Sequence, residues 1–539
     1  MAPQQEVEQQ AEGVAVVVDD PSRVWLPELV QRFAGLLSGN EVACVLRLVN
    51  KAAAAQFSRP QDRTVRLSLR VPHHAFAWRW GGAGAMRSLN RSRRRLLPCL
   101  TARSGSITNL ELLLARGGSV PVLEGQVLDA AAQAGQLTVC RWLRQQGCPF
   151  SRPDGRALLD AAAGGQQAVC EWLLASGCPW CDLAAGEATR GGHVGLVDWL
   201  LGAVPDSVNV ESLLKGAAAG CDLPTLQRLH HNVLGRFGAE LENEHARSMV
   251  VASAAASPRL DWRAKVEWLE GRGYARRAAA PQEVARLADG RGRLQWLLQR
   301  GYPLNANVAE SAAAGGNVDV LRLVLDSGVV MDVRHACSTI MRAAEEGHVA
   351  VLQVLLPADE SRIWSARDAA AAAAGNGHLP VLTWLVETLG ATVLSTWVFV
   401  SATKSGSMEL LAWLHEHGCP WEESVFAEAA AVGSEEELEW LAVHGCPMVA
   451  HGDPYLQALR NGGRPMMHCL RRLGCPWGPH GHVFTYVCRS LASTATANRD
   501  ALPTLRFLLE EGCSVDWVMA LRAARTPEVV AWLQAERQR

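Results

Sequence analysis

The stretch "WLLASGCPW" at residues 172–180 decides the fold, because versions of it recur along the chain. Three close relatives are "WLRQQGCPF" at 142–150, "WLHEHGCPW" at 413–421 and "WLAVHGCPM" at 440–448. In every copy a glycine follows the tryptophan by five residues, and another glycine stands seven residues before it. A motif repeated at constant internal spacing is typical of a chain built from stacked structural units.

The segment between the two glycines is predicted to be a short amphipathic helix. In "GHVAVLQVLL" (347–356) the apolar residues fall at helical spacing. The glycine that ends most units suits the left-handed backbone at a helix C-terminus. Alanine-rich segments such as "LLDAAAGG" (158–165) stand upstream, and alanine favours a helix that packs closely on its neighbours. Each unit is therefore predicted to be helix, tight turn, helix and loop.

The period of this unit is 30 residues between Trp142 and Trp172, and 27 between Trp172 and Trp199. One unit cannot bury its apolar face alone, so the units must stack into a solenoid. We therefore expect an all-α helical-repeat solenoid with a small helical module in front of it. The expected divisions are a disordered N-terminus at 1–22, a helical module at 23–60, a basic and aromatic connector at 61–98, and the solenoid at 99–539, irregular over 213–300.

The repeated unit resembles the ankyrin repeat. The stretch "AAEEGHVAVLQVLL" (343–356) looks like the core pattern of that family, and Gly192-His193 and Gly377-His378 match its Gly-His pair. The Thr-Pro-Leu-His box is missing, and the units are shorter than the usual repeat of about 33 residues. The resemblance implies a protein–protein interaction scaffold that holds a protein partner on its concave face.

The segment "VWLPELVQRFAGLLSGNEVACVLRLVNKAAAAQF" (24–57) resembles an F-box. The resemblance implies an alternative function, that of a substrate receptor in an SCF-type ubiquitin ligase, docked on a Skp1-type adaptor. Hydrophobic contacts to the adaptor would come from the residues that match the motif, Leu26, Pro27, Leu29, Val30 and Leu37. A helical cap for the solenoid is the other interpretation of this segment.

The chain contains 15 cysteines, several of them in Gly-Cys-Pro triplets. Tyr274 and Tyr302 occupy the same place in other units, which favours a half-buried spacer over a metal ligand. Cys178 and Cys181 form a C-x-x-C pair, so a zinc or redox role is the sharper alternative. The pair lacks the strand and helix of a thioredoxin-like motif. We expect no metal and no cofactor.

Tryptophans are unusually frequent, at 19 in the chain. Those in the repeated slot are predicted to fill the space between helix pairs. Three others, Trp180, Trp421 and Trp477, lie just after Gly-Cys-Pro in a loop. Packing is favoured for them as well, with contact to a partner as the alternative, because aromatic residues dominate interface hot spots.

The connector carries the basic run Arg91, Arg93, Arg94 and Arg95 together with Trp78 and Trp80. A nuclear-localisation signal and stacking of the tryptophans on bases are both consistent with such a stretch. The formal charge of the whole chain is −2, which argues against wholesale binding of nucleic acid or of an anionic membrane. We therefore expect no nucleic-acid partner and no membrane partner.

No Walker A loop, Gly-x-Ser-x-Gly elbow or His-Glu-x-x-His motif occurs in the sequence. The chain is therefore expected not to be an enzyme. The N-terminus "MAPQQEVEQQAEG" (1–13) is polar and acidic, unlike a secretory signal or a transit peptide. The expected location is the cytoplasm, with the nucleus as the alternative.

Overall fold

The computed structural model describes residues 26–116, 121–152, 154–203, 208–237, 243–356, 363–461, 464–490 and 498–538. Within these ranges all regular structure is helical, so the predicted all-α solenoid is confirmed. The expected disordered N-terminus at 1–22 lies outside the described residues. Helix pairs continue through 213–300, where the sequence pattern is irregular.

The N-terminal module and the first part of the connector form short helices with one π-helical turn, Val42–Leu46. They are α1 (Pro27–Ala34), α2 (Gly39–Glu41), α3 (Arg47–Val49), α4 (Lys51–Gln56), α5 (Pro60–Arg63) and α6 (His73–Trp80). Val30, Val42, Leu46 and Phe57 form a small core of their own. Phe76 and Trp80 of the last helix, like Ala43 and Cys44 of the π-helical turn, are buried in the core of the solenoid.

The solenoid alternates a first and a second helix in each unit. The first helices are α7 (Arg91–Arg103), α9 (Gly125–Gln133), α11 (Arg156–Ala163), α13 (Ala184–Arg190), α15 (Val210–Gly220), α17 (Glu244–Ala255), α19 (Ala279–Ala285), α21 (Ala306–Ala314), α23 (Val333–Glu345), α25 (Ile363–Asn376), α27 (Thr396–Ser405), α29 (Glu423–Val432), α31 (Asp453–Asn461), α33 (His482–Ser490) and α35 (Trp517–Ala523). The second helices are α8 (Ile107–Leu114), α10 (Leu137–Gln145), α12 (Gln167–Ala175), α14 (Val194–Ala203), α16 (Leu223–Phe237), α18 (Trp262–Gly271), α20 (Gly290–Gln299), α22 (Val318–Asp326), α24 (Val349–Leu355), α26 (Leu379–Leu389), α28 (Met408–Glu416), α30 (Glu435–Val443), α32 (Arg464–Arg472), α34 (Asn498–Glu510) and α36 (Pro527–Gln538).

The repeated glycine after the second helix ends it as the sequence predicts. Gly147 has a φ of 85°, in the left-handed region that only glycine adopts without strain. Its N–H donates to Arg144 O at 3.0 Å, and the N–H of Cys148 donates to Leu143 O at 2.9 Å. This pair of bonds is the Schellman motif, which satisfies carbonyls left open at the helix end.

In several units the residue after the upstream glycine bonds to the unit before it. Gln136 Nε2 donates to Arg103 O at 3.2 Å, and Asn317 Nδ2 donates to Leu287 O at 2.8 Å. A ring nitrogen of His378 lies 2.8 Å from Glu345 O in the same arrangement. Side chains at this position therefore bond the C-terminal end of the preceding first helix.

Neighbouring first helices approach each other closely because their facing residues are alanine and glycine. A Cβ atom placed on Gly216 in α15 would lie only 2.1 Å from Gly186 O in α13. The second helices carry larger side chains, including Trp172 and Trp199, and lie further apart. The stack consequently curves toward the first helices, which line its inner face.

Residues near the start of the solenoid contact units that lie much further along the chain. Arg93 donates to Gly406 O at 3.2 Å and to Ser405 O at 3.4 Å, and the N–H of Glu436 donates to Arg87 O at 3.3 Å. We call this contact between residues 87–94 and 405–439 the closure. It joins α7, the first helix of the first unit, to units more than 300 residues further along the chain.

Candidate functional site

The Gly-Cys-Pro cysteines have one repeated structural role. The thiols of Cys148 and Cys419 each lie 3.4 Å from a backbone carbonyl 24 positions earlier, those of Glu124 and Ser395. Burial raises the pKa of Cys148 to about 11 and that of Cys419 to about 12. A thiol that stays protonated and bonded to the main chain is a packing element, not a nucleophile or a ligand.

The C-x-x-C pair lies in the same kind of surroundings. Cys178 and Cys181 are buried, at 6% and 7% exposed, and both are free thiols. Burial raises the pKa of Cys178 to about 11. Among the described residues, no group of three or more His, Cys, Asp or Glu side chains is arranged to hold a metal ion. In the same residues, no helix is long and apolar enough to cross a membrane.

The three loop tryptophans pack against neighbouring side chains. Trp477 is 9% exposed and stacks on Tyr455 with 3.8 Å between ring centroids. Trp421 lies 5.2 Å from Phe399, and half-buried Trp180 packs on the main core. The structure does not bring the three together with one another or with the N-terminal module into a common site.

The five motif residues of the N-terminal module have different environments. Val30 is 2% exposed and faces the module's own core, so it is not available to a partner. Leu26 and Leu37 are 50% and 37% exposed, Pro27 is exposed, and Leu29 is half-buried.

A larger feature lies just after them, in residues 59–103. This stretch contains eleven arginines and one acidic residue, Asp62, whereas the whole chain has 52 basic and 54 acidic residues. The basic run at 91–95 is only part of it. Counting charge over the entire connector, instead of within the most obvious run, reveals the excess from sequence.

Trp78 projects from this basic stretch into solvent. Its side chain is 85% exposed, whereas Phe76 and Trp80 on the same helix are 2% and 8% exposed. Residues four apart share one face of a helix, and the residue midway between them faces the other way. The burial of Phe76 and Trp80 therefore holds Trp78 outward on α6. The guanidinium of Arg79 lies 4.2 Å from the centre of the Trp80 ring.

The backbone around α6 is fixed by buried amides. Asn40, 1% exposed, donates to Arg66 O at 2.8 Å and to Arg70 O at 3.1 Å, and accepts from the N–H of Arg66 at 2.8 Å. Asn109 in α8 donates to Val71 O at 3.1 Å, just ahead of α6. The arginine-bearing loop and the helix of Trp78 are thus held in place before any ligand binds.

Arginines in the first half of the stretch are open to solvent. Arg59, Arg63 and Arg66 are exposed, and none of them forms an ion pair with a carboxylate in the part of the chain that the structure describes. We call the set Arg59, Arg63, Arg66, Arg70, Trp78 and Arg79 the basic platform. Within this set Arg70 lies near Glu41, since hydrogen bonds with Ser38 and, to a smaller extent, the charge of Arg70 lower the pKa of that carboxyl. Exposed guanidinium groups in the same stretch of chain as an exposed indole are a combination that binds phosphates and unstacked bases.

The second half of the stretch borders a cavity of about 950 Å³ at the closure. Its charged lining consists of Arg87, Arg94, Arg116, Arg472, His468 and Glu435. The glycine-rich turn at 81–84 forms part of its wall. The cavity therefore has residues from the start of the solenoid on one side and from α30 and α32 on the other.

Similarity to known proteins is confined to solved structures. No protein-family model matches the chain, and no curated protein matches it. Among solved structures, two of the pentatricopeptide repeat protein PPR10 in complex with an 18-nucleotide psaJ RNA element are 13% identical, with a TM-score of 0.25. Each of these two matches covers 95% of this chain and 87% of the PPR10 chain. A structure of PPR10 from maize is 11% identical with a TM-score of 0.24, covering 95% and 93%.

The predicted ankyrin and F-box memberships are wrong on these findings. No family model of either kind matches, and the matching solved structures are of a different helical-repeat family. The described residues contain no β-strand, so the β-hairpins that accompany ankyrin repeats are absent from them. Val30, carried over as an adaptor contact, is buried within its own module. The ankyrin-type protein scaffold, the ubiquitin-ligase receptor and the Skp1-type partner are withdrawn with these memberships.

The expectation that nucleic acid is not a partner is also corrected. The matching solved structures include RNA complexes, although a TM-score of 0.25 is too low to transfer any ligand to this chain. The physical reason lies in the chain itself, because a formal charge of −2 averages over a stretch with eleven arginines and one acid. The charge of the whole chain therefore conceals this local excess of positive charge.

Proposed function

We propose that this protein is a non-catalytic helical-repeat scaffold that binds single-stranded nucleic acid through the basic platform. The observation that carries the proposal is Trp78, 85% exposed on a helix fixed to the solenoid core. This tryptophan stands within a stretch of eleven arginines and one acid, which distinguishes it from the other exposed apolar residues of the chain. Bases stack on such a ring while the guanidinium groups neutralise phosphates.

The indole favours a single strand over a duplex. Bases in a double helix are stacked on one another, so an indole on the protein surface has no free base face to contact. An unpaired strand presents every base in turn, and stacking of this kind tolerates any sequence. The platform therefore supplies affinity with little sequence preference, and the repeats serve to hold it and to offer a long surface beside it.

The test is fluorescence anisotropy with labelled oligouridine and oligodeoxythymidine about 20 nucleotides long, beyond the footprint of a single stacking module. Trp78→Ala is expected to weaken binding by about 5- to 150-fold, because stacking of one base contributes about 1–3 kcal/mol. Arg63→Gln and Arg66→Gln are each expected to reduce the slope of log affinity against log salt by about 0.7 for each phosphate that the variant no longer neutralises.

Matched controls are available elsewhere in the solenoid. Trp397, 61% exposed in α27, is replaced by alanine, and the exposed Arg286 is replaced by glutamine. Neither change should alter affinity by more than about twofold, within the scatter of neutral surface substitutions. Equal losses from Trp78→Ala and Trp397→Ala, or no measurable binding by the folded parent protein, would overturn the proposal.

A further inference from the structure

The cavity at the closure carries a positive charge that the neighbouring protein groups do not balance. Four guanidinium groups line it, and Glu435 is the one carboxylate in its described lining. Glu439, just outside, forms ion pairs with both Arg87 and Arg472. Four positive charges against these two negative ones leave a net charge of +2. His468 is left out of this count, because a ring nitrogen of it lies 3.6 Å from the carboxylate of Glu511.

Individual arginines in the cavity have unused bonding capacity. Arg116 donates to the carbonyl oxygens of Gly81 and Gly82, at 2.7 Å for Gly82, and has no carboxylate partner among the described residues. Arg87 Nε is buried without a hydrogen bond in the described structure, and lies 3.6 Å from a Glu435 oxygen. Buried guanidinium N–H groups without an acceptor are rare in folded proteins because they cost free energy.

A glycine-rich turn forms part of the cavity wall. Ala83 and Gly84 line it, and their amide N–H groups have no acceptor among the described residues. Consecutive N–H groups in a glycine-rich turn form a concavity that suits phosphate oxygens. Arginine forks are matched in geometry to the same group, with two parallel N–H···O bonds to one phosphate.

We propose that the closure cavity binds a ligand carrying two or more phosphate groups, which bridges Arg116 on the first unit and Arg472 on α32. Its phosphates occupy the space between guanidinium groups that come from opposite sides of the closure. Binding therefore holds the two sides together. The phosphates belong either to a free phosphorylated small molecule or to a nucleic-acid strand, and both sources share this chemistry.

The experiment measures binding of tripolyphosphate to the full-length chain by isothermal titration calorimetry at physiological ionic strength. We expect saturable binding with one ligand per chain, and a loss of at least about tenfold in affinity for Arg116→Gln and Arg472→Gln, the scale of one charge-assisted hydrogen bond. Arg228→Gln is the matched control, because that arginine forms an exposed pair with Asp198 at 2.9 Å far from the cavity. Equal affinity in all three variants, or no saturable binding by the parent protein, overturns the proposal.

A further variant tests the same cavity without replacing an arginine, so that misfolding of the arginine variants cannot account for a loss of binding. Ala83→Glu places a carboxylate in the cavity from an exposed turn and leaves every arginine intact. It must abolish tripolyphosphate binding. If Ala83→Glu abolishes tripolyphosphate binding and leaves oligouridine binding unchanged, the ligand is a free phosphorylated small molecule. If the variant loses both tripolyphosphate binding and oligouridine binding, the phosphates in the cavity belong to a nucleic-acid strand. Trp78→Ala tests the basic platform separately, so failure of one proposal is distinguishable from failure of the other.

Discussion

The guanidinium of Arg94 lies 3.6 Å from the carboxylate of Glu435, although 341 positions of sequence separate the two residues. Their side chains are 8% and 15% exposed, so water screens the pair only partly. Within the units, by contrast, alanines and leucines pack without charge. Neighbouring units elsewhere also share ion pairs, such as Arg300 with Glu270, in addition to their apolar core. The closure depends more heavily on ionic contacts, so we expect ionic strength to affect it more than it affects the units.

Replacing both Glu435 and Glu439 by glutamine is expected to open the closure. The change leaves Arg94 partly buried without its counter-charge, which costs about 1–3 kcal/mol. The radius of gyration from small-angle X-ray scattering should rise, while helix content by circular dichroism stays constant. In the parent protein, about 1 M salt should produce the same expansion, because the screening length falls to about 3 Å.

The control for this prediction is Asp198→Asn, which breaks the exposed Arg228 pair instead. An exposed pair contributes about 0–1 kcal/mol, so no change in size is expected. A radius of gyration that is identical in both variants and insensitive to salt would show that the ionic contacts do not hold the closure.

Glu437, beside the closure in α30, predicts an unusual dependence of stability on pH. It is 1% exposed, and neither carboxylate oxygen has a hydrogen-bond partner among the described residues. Burial raises its pKa well above the ordinary value of 4.5, more than the charge of Arg93 lowers it. The folded state therefore holds its proton more tightly than the unfolded state does.

The stability that this carboxyl contributes is fully present below pH 4.5 and is lost as pH rises toward the folded-state pKa. Glu437→Gln removes that loss. Measured by urea denaturation, the free energy of unfolding of the variant minus that of the parent should be nearly constant below pH 4.5 and become more positive toward pH 8. Glu436→Gln, one position away and exposed, should show no such trend, and a flat difference for Glu437→Gln would contradict the assignment.

The helical units could be predicted from sequence because their determinants are local. Gly147 takes the left-handed conformation that its place after an amphipathic stretch requires, and the Gly-Cys-Pro cysteines prove structural because tyrosine can replace them. The positions of the glycines and the residue types at the cysteine position can both be identified within about 30 residues of sequence, the length of one unit. The family assignment failed for the same reason, since short helical hairpins with buried alanines are common to different repeat families.

The closure could not be predicted in the same way. The contact of Arg93 with Gly406 depends on how small rotations between units add up around the curve. No single unit encodes that sum, and Arg93 looks in sequence like any other member of a basic run. The exposure of Trp78 is an intermediate case, because the apolar spacing of Phe76 and Trp80 indicates which face is buried only once α6 is known to pack on α8.

The buried thiols should be nearly inert in the folded protein. Burial raises the pKa of Cys178 to about 11 and of Cys419 to about 12, from an ordinary value of 9.0. At pH 8 the fraction of thiolate at Cys178 then falls about 100-fold, and disulfide exchange needs thiolate. Labelling with Ellman's reagent should be slow in buffer and complete within minutes in guanidinium chloride. Rapid labelling of Cys178 or Cys181 in the native state would support the redox alternative instead.

The spacing between first helices predicts a sharp contrast among three Gly→Ala variants. Gly216→Ala places a methyl group 2.1 Å from Gly186 O, so α13 and α15 must separate. Overpacking of this kind costs about 1–3 kcal/mol or more. Gly147→Ala meets open space but must hold a φ of 85°, which costs about 1–2 kcal/mol. Gly202→Ala, in α14 with open space around it, should stabilise by about 0.5–1 kcal/mol. Urea denaturation of the three variants measures these differences, and a Gly216→Ala variant as stable as the parent would contradict the close approach of the first helices.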